Sequence, residues 1–231
     1  MIFIIYLFFL FIFLIYSINN KTNNLNLYFI RHAKGLHNNA ALLYGDSEYN
    51  NTLWFDSPLI QEGIKESIKL KNLMNIIKPD LVYSSSLRRT IETMYYSLNR
   101  KDIPIFIDDN IREKINGHPC NFRINKNDII LATNSLFKNA NINYDYIWDF
   151  EDYNKIERIP EDLLNRGHIW FNNMIDYVKD KNIKNIIIYT HGGFIQYFLN
   201  TNPFDKLNTN FRCHSYPKNL QICLIKYKFI K

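Results

Sequence analysis

The sequence predicts an α/β fold, a doubly wound and mostly parallel sheet flanked by helices, on three observations. Short apolar runs alternate with longer amphipathic stretches along most of its 231 residues, the rhythm of strand–helix–strand units. Two of the runs, those opening Leu27-Tyr28-Phe29-Ile30-Arg31-His32 and Ile186-Ile187-Ile188-Tyr189-Thr190-His191-Gly192-Gly193, are continuously apolar up to Ile30 and Tyr189, as strands covered on both faces are. Each ends in a histidine, the two lying about 160 residues apart, on the rim where open sheets hold their ligands.

The elements follow in order. An apolar segment, 1–18, and a polar linker, 19–24, precede a first strand at 25–30. Asp56-Ser57-Pro58 opens a helix reaching residue 77, with Pro58 near its first turn, apolar positions at Ile60, Ile64, Ile68 and Leu73, and Lys78-Pro79 as its stop. A second strand at 80–83 runs into Ser84, Ser85 and Ser86, residues suited to cap a helix over 87–98. After a third strand at 103–107, residues 113–158 show no clear periodicity and read as a cap over the active site. A helix over 160–180 turns Leu164, Trp170, Phe171, Ile175 and Val178 inward, leaving His168 to packing and Arg166 to a structural ion pair. A strand at 184–189, a short helix at 193–199 and a last strand at 220–228 complete one domain, 25–231.

Composition narrows the function. An apolar content of 47% supports one sizeable core. A net charge of +6 and a pI near 9.0 suit an anionic ligand. The lysines are scattered, with no dense basic run and no helix striped with base-reading residues, which argues against nucleic acid. Cys120, Cys213 and Cys223 show no metal-ligand spacing. Cys213 and Cys223 could pair in a secreted domain, but they read as two unlinked, buried thiols.

Residues 1–16 carry no charged side chain. As a helix, 1–18 would span roughly 27 Å, just short of the ~30 Å hydrocarbon core. The segment is long for the apolar part of a secretory signal, and neither a basic leader nor a small-residue cleavage site flanks it. A single-pass membrane anchor is therefore expected, with a cleaved signal as the alternative. Lys21, the cation beside it, weakly favours a cytosolic catalytic domain.

Between the two histidines, Tyr83-Ser84-Ser85-Ser86-Leu87-Arg88-Arg89-Thr90-Ile91-Glu92-Thr93 brings guanidinium groups to the same rim, and Asp108, Asp109 and Glu113 bring carboxylates. In pattern and order these residues resemble the histidine phosphatase superfamily (phosphoglycerate mutase-like, branch 1) from Leu25 to Phe229. The Arg-His-Gly signature of that family stands here as Arg31-His32-Ala33, its following Asn as Asn38, its Ser-Ser-x-Leu-x-Arg-x-x-x-Thr as Ser84 to Thr93 with Arg89 in the arginine place, its acid as Glu113 and its Thr-His-Gly as Thr190 to Gly192. Ala33 departs from the usual glycine, and its methyl group could narrow the phosphate pocket.

The resemblance implies a phosphoglycerate mutase-like fold and phosphomonoester hydrolysis through a phosphohistidine. It makes His32 the nucleophile, Arg31, Asn38, Arg89 and His191 the phosphate ligands, and Glu113 the general acid that later activates water. It implies no metal or other cofactor. Asp108 and Asp109 remain open as alternatives to Glu113. His37, His118 and Arg123 are weaker candidates for substrate contact. The partners expected are a small phosphorylated substrate or a phosphoprotein. Two other readings are a phosphomutase, disfavoured because Ala33 to Tyr44 lacks the Trp-containing stretch of the glycolytic mutases, and a membrane-anchored pseudoenzyme that binds a phosphorylated partner.

Overall fold

The structure, a computed structural model, describes residues 22–100, 102–200 and 216–230. Six strands, β1 (Thr22–Arg31), β2 (Leu81–Ser84), β3 (Ile105–Asp108), β4 (Ile142–Tyr146), β5 (Asn185–Thr190) and β6 (Ile222–Ile230), form one sheet in the order β4-β3-β2-β5-β1-β6. Every pairing is parallel except β1 with β6. The helices are α1 (Leu36–Tyr44), α2 (Gln61–Lys69), α3 (Lys71–Ile77), α4 (Arg88–Ser97), α5 (Lys126–Leu136), α6 (Phe150–Tyr153), α7 (Glu161–Val178) and α8 (Gly192–Asn200).

Period-two geometry divides the strand side chains between two cores. On one face Leu25, Leu27, Phe29, Ile186 and Ile188 pack with Trp170 and Met174 of α7 and Phe194 and Phe198 of α8. On the other, Ile30, Val82, Ile187 and Tyr189 pack with Met74 of α3 and Met94 of α4. Both faces of β5 are thus covered, which is why its sequence is an unbroken apolar run. Residues Arg31 and Thr190 end β1 and β5 in register, so the residues after them, His32 and His191, emerge side by side.

Several elements differ from the sequence expectation. The linker begins the sheet: Thr22, Asn23 and Asn24 belong to β1, paired with Ile230, Phe229 and Lys228. Residues 57–60 are extended rather than helical, because the Pro58 carbonyl accepts the Leu36 N–H (2.9 Å) and the Ile60 N–H reaches the Lys34 carbonyl (3.1 Å). The helix that follows is two helices meeting at Leu70. The serines do not cap α4. Asp56 does so from a distance, its Oδ1 accepting the Arg88 N–H at 2.9 Å.

The stretch 113–158 is only partly a cap. It contains α5, β4 and α6, and β4 extends the sheet beside β3. Cys223 is disulfide-bonded, against the unlinked-thiol reading, while Cys120 is free and buried. Cys213 and the apolar segment 1–18 lie outside the described residues. Among the described residues no helix is long and apolar enough to cross a membrane.

Candidate active site

A cavity of about 420 Å³ opens at the carboxyl ends of the central strands, lined by Arg31, His32, His37, Asn38, Arg89, Glu113 and His118, with Tyr49, Lys114, Asn116, Asn121 and Tyr216 among its remaining walls. Seven of the residues singled out in the sequence therefore share one cavity. Two do not line it, His191 and Arg123.

His32 follows β1 with its backbone N–H bonded to the Thr190 carbonyl (2.9 Å). The side chain is almost fully buried. Its Nδ1 lies 2.8 Å from the Ala33 carbonyl, which only accepts, so Nδ1 carries the proton and Nε2 the lone pair. Burial holds the imidazole well below the usual histidine range, and Arg89, His191, Arg31 and His37 add to the effect. The ring is therefore neutral near pH 7. Ala33 is wholly buried and lies outside the cavity wall. Its N–H donates to Thr93 Oγ1 (3.0 Å), which itself donates to the Arg89 carbonyl (2.6 Å). That pair of bonds is the reason for the Arg-x-x-x-Thr spacing: it ties α4 to the loop that carries His32.

The two guanidinium groups are held by their outer nitrogens. Arg31 Nη1 donates to the Pro217 carbonyl (2.8 Å). Arg89 donates through Nη1 to the Cys120 carbonyl and through Nη2 to Asn121 Oδ1 (2.9 Å). The Nε atoms of both are buried and without a partner. Arg88 instead faces solvent and pairs with Glu92 at 2.7 Å. Asn38 accepts the Gly35 N–H on Oδ1 (3.2 Å), which leaves its Nδ2 as a donor.

His191 sits beside His32, ring centroids 5.2 Å apart, and is fully buried. Its Nε2 is 2.9 Å from Ser85 Oγ. Ser85 Oγ also receives the Leu87 N–H at 3.4 Å, and the Nδ1 of His191 is buried with no partner. Burial first, then Arg89 and Arg166, push this imidazole down as well.

Glu113 is the carboxylate that reaches the cavity. Its Oε1 accepts the Lys114 N–H (2.9 Å) and its Oε2 the Gly193 N–H in the first turn of α8 (3.1 Å). A Cβ on Gly193 would stand 2.2 Å from Glu113 Oε1, so the second glycine after His191 makes room for the acid. The two alternatives are engaged elsewhere. Asp109 accepts from Ser86 Oγ, Arg123 Nη2 (2.9 Å) and the Trp148 N–H (2.7 Å) with no exposure. Asp108 accepts from the Asn110 backbone and side chain, and burial pushes its carboxyl up to about 7.

Arg123 is no substrate contact: it forms a fully buried ion pair with Asp109, lies over Tyr153, and donates to the Ile124 and Trp148 carbonyls. His118 does line the cavity, hydrogen-bonded to Asn50 Oδ1 (3.1 Å), with its imidazole lowered by burial and by Lys114. Sequence reasoning missed Tyr49, Lys114, Asn116, Asn121 and Tyr216, and it missed Glu157. The Glu157 carboxylate binds Arg166 Nε (2.6 Å), Arg112 Nη2 (3.0 Å) and the Ile115 N–H (2.9 Å), while Arg166 donates to the Asn110, Arg112 and Glu113 carbonyls. This buried triad sets the backbone that carries Glu113. The ion-pair role read for Arg166 is the one it has.

Such a fold and cavity define an α/β protein with a histidine-centred site walled by two guanidinium groups. The family model of the histidine phosphatase superfamily (branch 1) matches residues 27–228, and the chain belongs to that superfamily. A curated 2,3-bisphosphoglycerate-dependent phosphoglycerate mutase from Chlamydia caviae is 30% identical over 92 residues, which make up 38% of this chain and 37% of that protein. Among solved structures, an ecdysone phosphate phosphatase from Bombix mori in complex with tungstate superposes with a TM-score of 0.60 at 14% identity, covering 86% of this chain and 87% of that one. A phosphoglycerate mutase from Bacillus anthracis gives 0.55 at 17% identity, over 91% and 92%. At these identities the likeness to the two structures is one of fold.

Proposed function

We propose that this chain hydrolyses phosphomonoesters through a phosphohistidine on His32. The observation that carries the reading is the state of that ring: Nδ1 is committed to the Ala33 carbonyl, and the neutral Nε2 is left to a cavity walled by two guanidinium groups. A phosphoryl group offers those guanidinium groups charged acceptor oxygens.

In the first step Nε2 attacks phosphorus in line as the phosphorus–oxygen ester bond breaks, and Glu113 gives the leaving oxygen its proton. In the second, Glu113 takes a proton from water as that water attacks phosphorus and the phosphorus–nitrogen bond breaks. Arg31, Arg89 and Asn38 Nδ2 stabilise the non-bridging oxygens, with His191 beside His32 adding to the polar surroundings of that group. The positive charge comes from the protein itself, so turnover is expected to survive a chelator. A cavity of about 420 Å³ suits a phosphate with a small leaving group, or the phosphorylated side chain of a protein.

Hydrolysis is favoured over phosphoryl return to substrate by the sequence of the loop and of α1, 33–44, which lacks the Trp-containing stretch of the glycolytic mutases. The pseudoenzyme reading has less support, since Arg31, His32, Arg89 and Glu113 line one cavity. We retain the apolar segment 1–18 as a membrane anchor or a secretory signal. The disulfide at Cys223 favours an oxidising compartment for the domain and speaks against the cytosolic orientation suggested by Lys21.

The test is His32→Ala in the full chain, assayed against a phosphomonoester panel with and without chelator. Loss of a covalent nucleophile should cost at least ~10³-fold in kcat. Acid-labile, base-stable label should accumulate on the native protein and vanish in the variant; wild-type turnover by His32→Ala would refute the covalent route.

A further inference from the structure

The family motif accounts for Arg31, His32, Asn38, Arg89, Glu113 and His191, and it leaves His37 without a task. His37 is the second residue of α1, in the turn that faces the cavity. Its backbone N–H is tied to Ser57 Oγ (3.1 Å), and the Leu36 N–H before it to the Pro58 carbonyl (2.9 Å), so the first turn is pinned to the extended segment 57–60. The side chain is 3% exposed and lines the cavity. Its ring centroid lies 5.7 Å from that of His32.

The two ring nitrogens have different surroundings. Nδ1 is sealed with no partner, on the edge of the ring that fills the space left by Gly35, where a Cβ would stand 2.9 Å from both Nδ1 and Cε1. Nε2 is the nitrogen left to the cavity. No acceptor sits at Nδ1, and a lone pair packed against a glycine Cα costs less than a trapped N–H, so the ring holds its one proton on Nε2. Burial, together with Arg89 and Arg31, keeps the ring neutral. A neutral imidazole that is almost wholly buried, and whose free nitrogen has no protein partner, is a donor without an acceptor.

We propose that His37 is a further ligand of the phosphoryl group, its Nε2–H donating to a non-bridging oxygen while that group sits at His32. The inference rests on the phosphatase reading of the cavity. It assigns the first turn of α1 a direct part in oxyanion binding, with the Tyr49 ring edge-on to that of His37 at 6.1 Å. A packing role alone would ask only for a flat apolar ring here. The nitrogen is what the proposal adds.

The experiment follows from that difference. Full-length wild type, His37→Phe and His37→Gln are titrated with inorganic phosphate by calorimetry, and the imidazole ¹⁵N spectrum of the wild type is recorded with and without phosphate. His37→Phe keeps the ring and loses the donor, and should weaken phosphate binding about tenfold or more, the loss expected for one hydrogen bond to a charged acceptor. His37→Gln keeps an N–H and should stay within about threefold. The Nε2–H resonance of His37 should shift on phosphate addition. Phosphate binding by His37→Phe within about twofold of wild type overturns the proposal. If that variant does not fold, an unchanged His37 Nε2 signal overturns it equally. Should the wild type bind phosphate and turn over esters while His37→Phe matches it, only this inference falls; should the wild type do neither, the phosphatase reading falls and this one with it.

Discussion

Replacing Glu157 by glutamine tests whether a residue outside the cavity builds the site. Its carboxylate joins Arg112 and Arg166 with side-chain exposures of only 3–4%. It also receives the Ile115 N–H two residues beyond Glu113. Glutamine keeps the shape but offers one acceptor oxygen, and it turns an amide NH₂ toward guanidinium donors. Two buried cations then lose their counter-charge, and breaking a buried pair in this way costs about 3–5 kcal/mol. With a urea m-value of about 2 kcal/mol/M, the unfolding midpoint should fall by about 2 M.

The exposed pair Arg158–Asp162 supplies the control: Asp162→Asn should leave the midpoint where it is. Burial alone would raise the Glu157 carboxyl, but Arg166 and Arg112 hold it below its usual value. The contribution of the triad is therefore complete above the unfolded value of about 4.5 and is lost only as the pH falls through the lower folded one. Activity should drop at denaturant-free pH 7, because Arg166 no longer holds the Glu113 carbonyl in place. A midpoint shift below about 0.3 M, with activity retained, would show that the triad neither stabilises the fold nor positions the acid.

Three further outcomes are expected. Arg89→Ala should lose at least ~10²-fold in kcat/KM as an oxyanion donor disappears, whereas the solvent-facing Arg88→Ala should change little; the opposite ranking would mean that the phosphate ligand has been misassigned. Glu113→Gln should slow phosphohistidine formation far more for a sugar phosphate than for p-nitrophenyl phosphate, whose leaving group needs no proton, and should let the intermediate persist with the latter; rapid-quench measurement separates the steps, and equal slowing of both esters without a trapped intermediate would remove Glu113 as the acid. Full-length protein should resist carbonate extraction from membranes, and a chain cut before Thr22, where β1 begins, should be soluble and active; full-length protein that washes off at its intact mass would end the anchor reading.

Much of the fold was legible in the sequence because central strands covered on both faces must be apolar throughout. Strands β2 and β5 and the Leu27–Ile30 part of β1 announce themselves in that way. Strand β4, Ile-Asn-Tyr-Asp-Tyr at the sheet edge, has no fully buried side chain and therefore no apolar pattern to read. Helix α1 was missed for a related reason: only His37 and Ala40 are buried along it, and neither marks an amphipathic stripe. The expected helix from Asp56 failed because Pro58 and Ile60 exchange hydrogen bonds with residues 34–36, a partner that local pattern does not show.

The sequence alone determined which chemical groups stand at the ends of which strands. A strand ending in Arg31-His32, another ending in Thr190-His191 and a helix carrying Arg89 and Thr93 can be read from spacing, because strand and helix periods are local properties of the chain. Tertiary structure alone decided how those groups divide the work. Asp109 and Glu113 are four positions apart, and what makes one of them structural is Arg123, which reaches Asp109 from the next segment of chain. Likewise Arg123 and His37 both looked like minor contacts; the first is neutralised in the core, and the second is left with a nitrogen open to the cavity. A buried charge or donor takes whichever partner the packing of distant segments brings within about 3 Å, and that partner is absent from the local sequence around either residue.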